Sequence, residues 1–123
     1  MVRAKLCGLG TESDVRAAVD AGADAVGFVT DVDVDTPREV APERAATLAD
    51  TVPPFVTTVA VTIPESVGAA VEVADRVAPD ALQIHGEFAP DQVREIRERA
   101  GVDVIVAVGA AEPDRARALD GVA

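Results

Sequence analysis

Ala21-Gly22-Ala23-Asp24-Ala25-Val26-Gly27-Phe28-Val29 holds the end of a helix and the whole of a strand in one short stretch. Gly22 follows the last periodic residue of an amphipathic run, as C-terminal glycines do. Residues 25–29 are then almost continuously apolar. A strand of that kind is buried on both faces, which is the mark of a parallel sheet covered by helices. Outward from it, the same cycle of apolar run, polar turn and amphipathic helix recurs every ~20 to 30 residues, as βα units do. Strands are expected at residues 2–7, 25–29, 55–61, 81–85 and 102–108. The class is therefore α/β, with five parallel strands alternating with five helices. Periodicity leaves an open sheet and part of a barrel both standing.

The helices carry start and stop signals of their own. Thr11 can cap the first, with Asp14 three residues on as a capping-box variant, and Val15, Ala18 and Val19 then share a face. Pro42, Pro64, Pro90 and Pro113 are each expected in a first helical turn, where a missing N–H costs nothing. Val67, Ala70, Val71, Ala74 and Val77 keep the 3.6-residue period of a third helix, and Gly101 follows the fourth. No linker or low-complexity tract divides residues 1–123, so one domain is expected.

Composition narrows the function classes. No stretch approaches the ~20 apolar residues of a membrane span, and Met1-Val2-Arg3-Ala4-Lys5 has no apolar signal region, so a soluble cytoplasmic protein is expected. One cysteine and one histidine make neither a disulfide nor a structural zinc site. The net charge of −11 repels phosphate backbones, which argues against nucleic acid as a partner. The cations are ten arginines and Lys5 alone. This acidic, lysine-poor composition resembles proteins of salt-loving microbes and reads as a solvated acidic surface.

Three places can carry chemistry. In Lys5-Leu6-Cys7-Gly8 the cysteine closes the first strand, at the edge where α/β sheets and barrels bind ligands. Alternation puts Lys5 on the same face, roughly 6 to 7 Å below the thiol. A nearby cation favours the thiolate, which can act as base or nucleophile. The tetrapeptide also fits a buried structural cysteine beside a lysine paired elsewhere. Thr36-Pro37-Arg38 lies in the long segment after the second strand, and the guanidinium fork suits a carboxylate or phosphate. The same arginine could instead balance Asp31, Asp33, Asp35 and Glu39. Those aspartates do not make a calcium loop, because Thr36 stands where glycine is needed and Pro42 where the bidentate glutamate is needed. In Leu82-Gln83-Ile84-His85-Gly86 a histidine tops the fourth strand at the same rim, with Gly86 leaving space beside it. A rival reading comes from Gly8-Leu9-Gly10-Thr11-Glu12-Ser13, which with Asp31 mimics a dinucleotide-binding turn, although Ser13 replaces its third glycine.

Taken together, Lys5-Leu6-Cys7-Gly8-Leu9, Ala21 to Val29, Pro37-Arg38, Pro53-Pro54-Phe55-Val56 and Leu82-Gln83-Ile84-His85-Gly86 resemble the phosphoribosylanthranilate isomerases of tryptophan biosynthesis. The resemblance covers the whole chain and implies a partial TIM (β/α)8 barrel, units one to five. It implies an Amadori rearrangement of a small phosphorylated substrate without metal or organic cofactor. Cys7 would be the general base, Arg38 would hold the anthranilate carboxylate, and His85 would line the pocket. The family's general acid, an aspartate ending strand six, and its phosphate sites after strands seven and eight fall beyond these units. Two departures are the acidic loop of Asp31 to Asp35 and Val59-Ala60-Val61-Thr62-Ile63-Pro64, where relatives more often carry Val-Gly-Val-Phe.

Five units cannot close a barrel, which needs at least about 200 residues. Open strand edges would then favour weak stability or self-association, and an inactive species by itself. The competing expectations are the NAD-binding half of a dehydrogenase and a non-catalytic half-barrel serving as an interaction piece.

Overall fold

The computed structural model describes residues 2–123. Five βα units follow one another: β1 Lys5–Cys7, α1 Glu12–Asp20, β2 Ala25–Val29, α2 Pro42–Asp50, β3 Thr57–Thr62, α3 Val67–Val77, β4 Ala81–Ile84, α4 Pro90–Ala100, β5 Asp103–Val106 and α5 Pro113–Ala118. The strands form one parallel sheet in the order β1-β2-β3-β4-β5. A dinucleotide-binding sheet would reverse direction and place its first strand inside, in the order 3-2-1-4. Here, among the described residues, β1 is an edge strand paired only with β2, and that rival reading fails.

Register sorts the buried strand residues onto two faces. Val26, Phe28, Ala60, Leu82, Ile84 and Val104 point outward into the main core with Val15, Leu48, Val73, Val77, Val93 and Ile96 from the helices. The alternate residues Val59, Val61 and Ala81 make a second core on the inner face, with Ala25 and Val29 packed against it. Among the described residues no helix residue joins that inner core, as expected of the inside of a barrel wall. The structure is thus five units of a (β/α)8 barrel. Among the described residues no helix is long and apolar enough to cross a membrane.

Strand ends differ from expectation for local reasons. The first strand starts at Lys5 rather than residue 2, because the Ala4 N–H donates to the Asp24 carboxylate at 2.7 Å and Val2 stays exposed. Phe55, expected to open the third strand, is 99% exposed, and β3 begins at Thr57. Pro53 and Pro54 lack the N–H groups a ladder requires, and Val56 N–H folds back to the Pro53 carbonyl at 3.1 Å. Asp80 repeats the role of Asp24 two units later, accepting from Thr58 N–H at 2.9 Å and the Thr58 hydroxyl at 3.1 Å.

Thr11 caps α1, accepting from Asp14 N–H at 3.0 Å, and Pro42, Pro90 and Pro113 open their helices. Pro64 does not. Ser66 caps α3 instead, accepting from Ala69 N–H at 3.1 Å, and Pro64 is buried before it. Gly22 and Gly101 follow α1 and α4 with positive φ, but α3 ends on Ala78 at φ 54°, where the alanine must hold a left-handed conformation. On the outer surface Arg76 of α3 binds Glu43 of α2, its Nε donating at 3.2 Å, and the guanidinium lowers the Glu43 pKa. Both side chains are solvated, so the pair adds little to stability.

Candidate active site

The C-terminal ends of the strands make one rim, and the first two βα turns assemble there. Cys7 ends β1 opposite Gly27 of β2 and is exposed in the described residues. An ideal Cβ on Gly27 would lie 2.9 Å from Cys7 Sγ and 3.4 Å from Lys5 Nζ. Thiol and ammonium therefore reach for the same point above the glycine. Among the described residues Lys5 has no carboxylate partner within ion-pair distance.

Beyond Cys7, the chain turns under control of Gly27 again: its carbonyl accepts from Gly8 N–H at 3.0 Å and Leu9 N–H at 3.2 Å. Gly10 N–H donates to Asp14 Oδ2 at 3.4 Å. All three N–H groups of the glycine turn are thus engaged by the protein, and the Glu12 and Asp14 carboxylates stand in the first turn of α1. A pyrophosphate would meet a repulsive field from these two carboxylates, which is a second reason to reject the dinucleotide reading.

Residues 30–41 form the long segment after β2. Its return leg is bridged to that strand, Val29 pairing with Glu39, and Val40 N–H donates to the Val29 carbonyl at 2.8 Å. The Thr36 hydroxyl accepts from Arg38 N–H at 3.3 Å and shapes the turn before it. These bonds bring Arg38 across the first turn, where its Cδ lies 2.8 Å from an ideal Cβ on Gly8. The expected alternative, Arg38 balancing the acidic loop, does not occur: among the described residues no ion pair involves it. Glu39 instead accepts from Val32 N–H at 2.9 Å. Asp31 is held at φ 51° by the Thr62 hydroxyl, which donates to its carbonyl at 2.9 Å. Thr62 thus ties β3 to the acidic loop.

His85 stands apart, just beyond β4 and separated from β1 by β2 and β3. Its N–H donates to the Thr62 carbonyl at 3.1 Å and its side chain is exposed. Gly86 does more than leave space. Its φ of 128° admits glycine alone, and an added Cβ would press within 3.2 Å of Phe88. The structure also shows a contact without a sequence signal: Arg115 of α5 donates to the Gly86 carbonyl and lies 3.8 Å from Glu87, bracing the turn that carries His85. A cavity of about 170 Å³ lined by Val15, Val19, Thr51 and Pro53 contains none of these residues and plays no part in the site.

Comparison with known proteins bears on this arrangement. Residues 4–122 match the family model of N-(5'-phosphoribosyl)anthranilate (PRA) isomerase. The chain is 52% identical over 123 residues to an N-(5'-phosphoribosyl)anthranilate isomerase of Halorubrum lacusprofundi, covering 100% of this chain and 58% of that relative. Among solved structures it resembles phosphoribosyl anthranilate isomerase from Thermotoga maritima, with 40% identity and a TM-score of 0.81 over 98% of this chain and 57% of that one. A phosphoribosyl anthranilate isomerase in complex with reduced 1-(o-carboxyphenylamino)-1-deoxyribulose 5-phosphate gives 36% identity and a TM-score of 0.80, over 94% of this chain and 59% of that one. The chain therefore spans a little over half the length of the relatives it matches. With the family match extending from β1 through α5, and the sheet order and two-sided core agreeing with it, this chain belongs to the N-(5'-phosphoribosyl)anthranilate isomerase family.

Proposed function

We propose that residues 1–123 form the base-and-clamp portion of a phosphoribosylanthranilate isomerase site, as units one to five of a single (β/α)8 domain. The substrate class is a small phosphorylated ribosylamine of anthranilate, and the cytoplasm is its compartment. In the Amadori rearrangement the opened sugar carries an iminium at C1. Removal of the C2 proton sends the C2–H electron pair into a C1=C2 double bond and the C1=N π pair onto nitrogen, and the resulting enolamine tautomerises to the aminoketose. Cys7 takes the C2 proton on its sulfur. Arg38 grips the anthranilate carboxylate with its planar fork and so sets C2 against the sulfur. His85 lines the pocket on the far side of the inner face. The relative bound to a reduced carboxyphenylamino-deoxyribulose phosphate supports a ligand of this chemistry.

The observation that carries the reading is the placement of Arg38 over Gly8, next in sequence to Cys7, with no carboxylate of this chain paired to it among the described residues. Because the chain covers 58% of its Halorubrum relative, the test uses a chimaera of residues 1–123 with the remainder of that protein. Cys7→Ser should lower kcat by at least about 100-fold with KM little changed, the size of a lost general base. Arg38→Met should chiefly raise KM. A Cys7→Ser chimaera turning over at the parental rate would remove Cys7 from the chemistry.

A further inference from the structure

Gly27 interrupts an otherwise apolar, buried strand, and its backbone does not require glycine, since its φ lies outside the left-handed region. What requires glycine is space. A Cβ there would meet Cys7 Sγ at 2.9 Å, closer than real Cβ contacts run, and would enter the place toward which Lys5 Nζ also points, at 3.4 Å. The carbonyl of the same residue accepts the Gly8 and Leu9 N–H groups that set the chain direction after Cys7. We propose that Gly27 is a positioning residue: its missing side chain leaves the niche in which the Lys5 ammonium stands beside the Cys7 thiol and speeds its reaction with electrophiles.

The proposal deepens the reading of Cys7 as a base and rests on it for its purpose, but it can be tested without substrate. Cys7 is the sole cysteine, so the alkylation rate by iodoacetamide, an uncharged reagent, reports on it alone. At neutral pH and low salt, Lys5→Met should slow alkylation about threefold, the size expected of an exposed charge pair, and Lys5→Arg should restore most of the rate. Gly27→Ala should slow it by a similar factor, and combining it with Lys5→Met should add little, because the alanine has already parted the two groups. A merely structural glycine would give a different pattern: loss of circular dichroism, faster alkylation of a freed thiol, and no dependence on the charge at residue 5. That pattern would overturn the proposal, as would a parental rate in Lys5→Met or in Gly27→Ala, or fully additive losses in the double variant. Failure of the base assignment would be seen separately, as undiminished turnover by the Cys7→Ser chimaera.

Discussion

Gly8 meets two demands at once. Its φ of +80° is one that side-chain-bearing residues rarely adopt, and the Arg38 stem occupies the space where a Cβ would go. Either demand alone would favour glycine, but they have different consequences. The φ demand concerns the backbone, and the contact concerns where the guanidinium ends. Gly8→Ala should therefore lower stability by about 1–2 kcal/mol for the left-handed conformation and also displace Arg38. In the chimaera the second effect should appear as a raised KM for the anthranilate substrate, measured by steady-state kinetics under conditions where the variant is fully folded. A Gly8→Ala variant that is destabilised but keeps its KM would show that the arginine does not depend on this contact. Cys7, Arg38 and His85 were each legible as residues of interest from strand ends and loop length. That Arg38 crosses the first turn was not legible, because the pairing of Val29 with Glu39 that brings it there has no sequence signature.

At the scale of elements, helix ends sort by whether their signal is local. Thr11 and Asp14 act within one turn, and Pro42, Pro90 and Pro113 fix their own φ, so these starts follow from the sequence alone. Pro64 misled because proline suits a strand exit as well as a helix entry, and only the Ser66 hydroxyl on Ala69 N–H decides between them. The stop of α3 is the strained one. Ala78 is exposed at φ 54°, followed by Pro79. Ala78→Gly removes a penalty of about 1–2 kcal/mol and gives back part of it, about 0.4–1 kcal/mol, as unfolded-state entropy. A net gain of roughly 0.5–1 kcal/mol is expected, readable as a higher urea midpoint with an unchanged m-value. A lower midpoint would mean that Ala78 is not held in the left-handed region in solution.

At the scale of residues 1–123, net charge bears on behaviour. A charge of −11 on 123 residues disfavours the compact state through self-repulsion, which salt screens. The thermal midpoint should rise steadily as KCl is raised from about 0.1 M to about 2 M, a range over which the Debye length falls from ~10 Å to below ~3 Å. A midpoint indifferent to salt would show that the acidic surface is neutral to stability. β1 and β5 each pair on one side only, and we propose that these edges support concentration-dependent association of the 123-residue chain, to be checked by sedimentation velocity. A monomer at all concentrations would count against it. By itself, the sequence determined the elements and their order, because hydrophobic period, caps and proline placement act over a few residues. It also singled out Cys7 and His85 as candidates, because strand ends can be read locally. Only the tertiary structure decided the assembly of the inner core and the placement of Arg38 over Gly8. Those depend on contacts between residues some 20 to 30 positions apart, which no local pattern encodes.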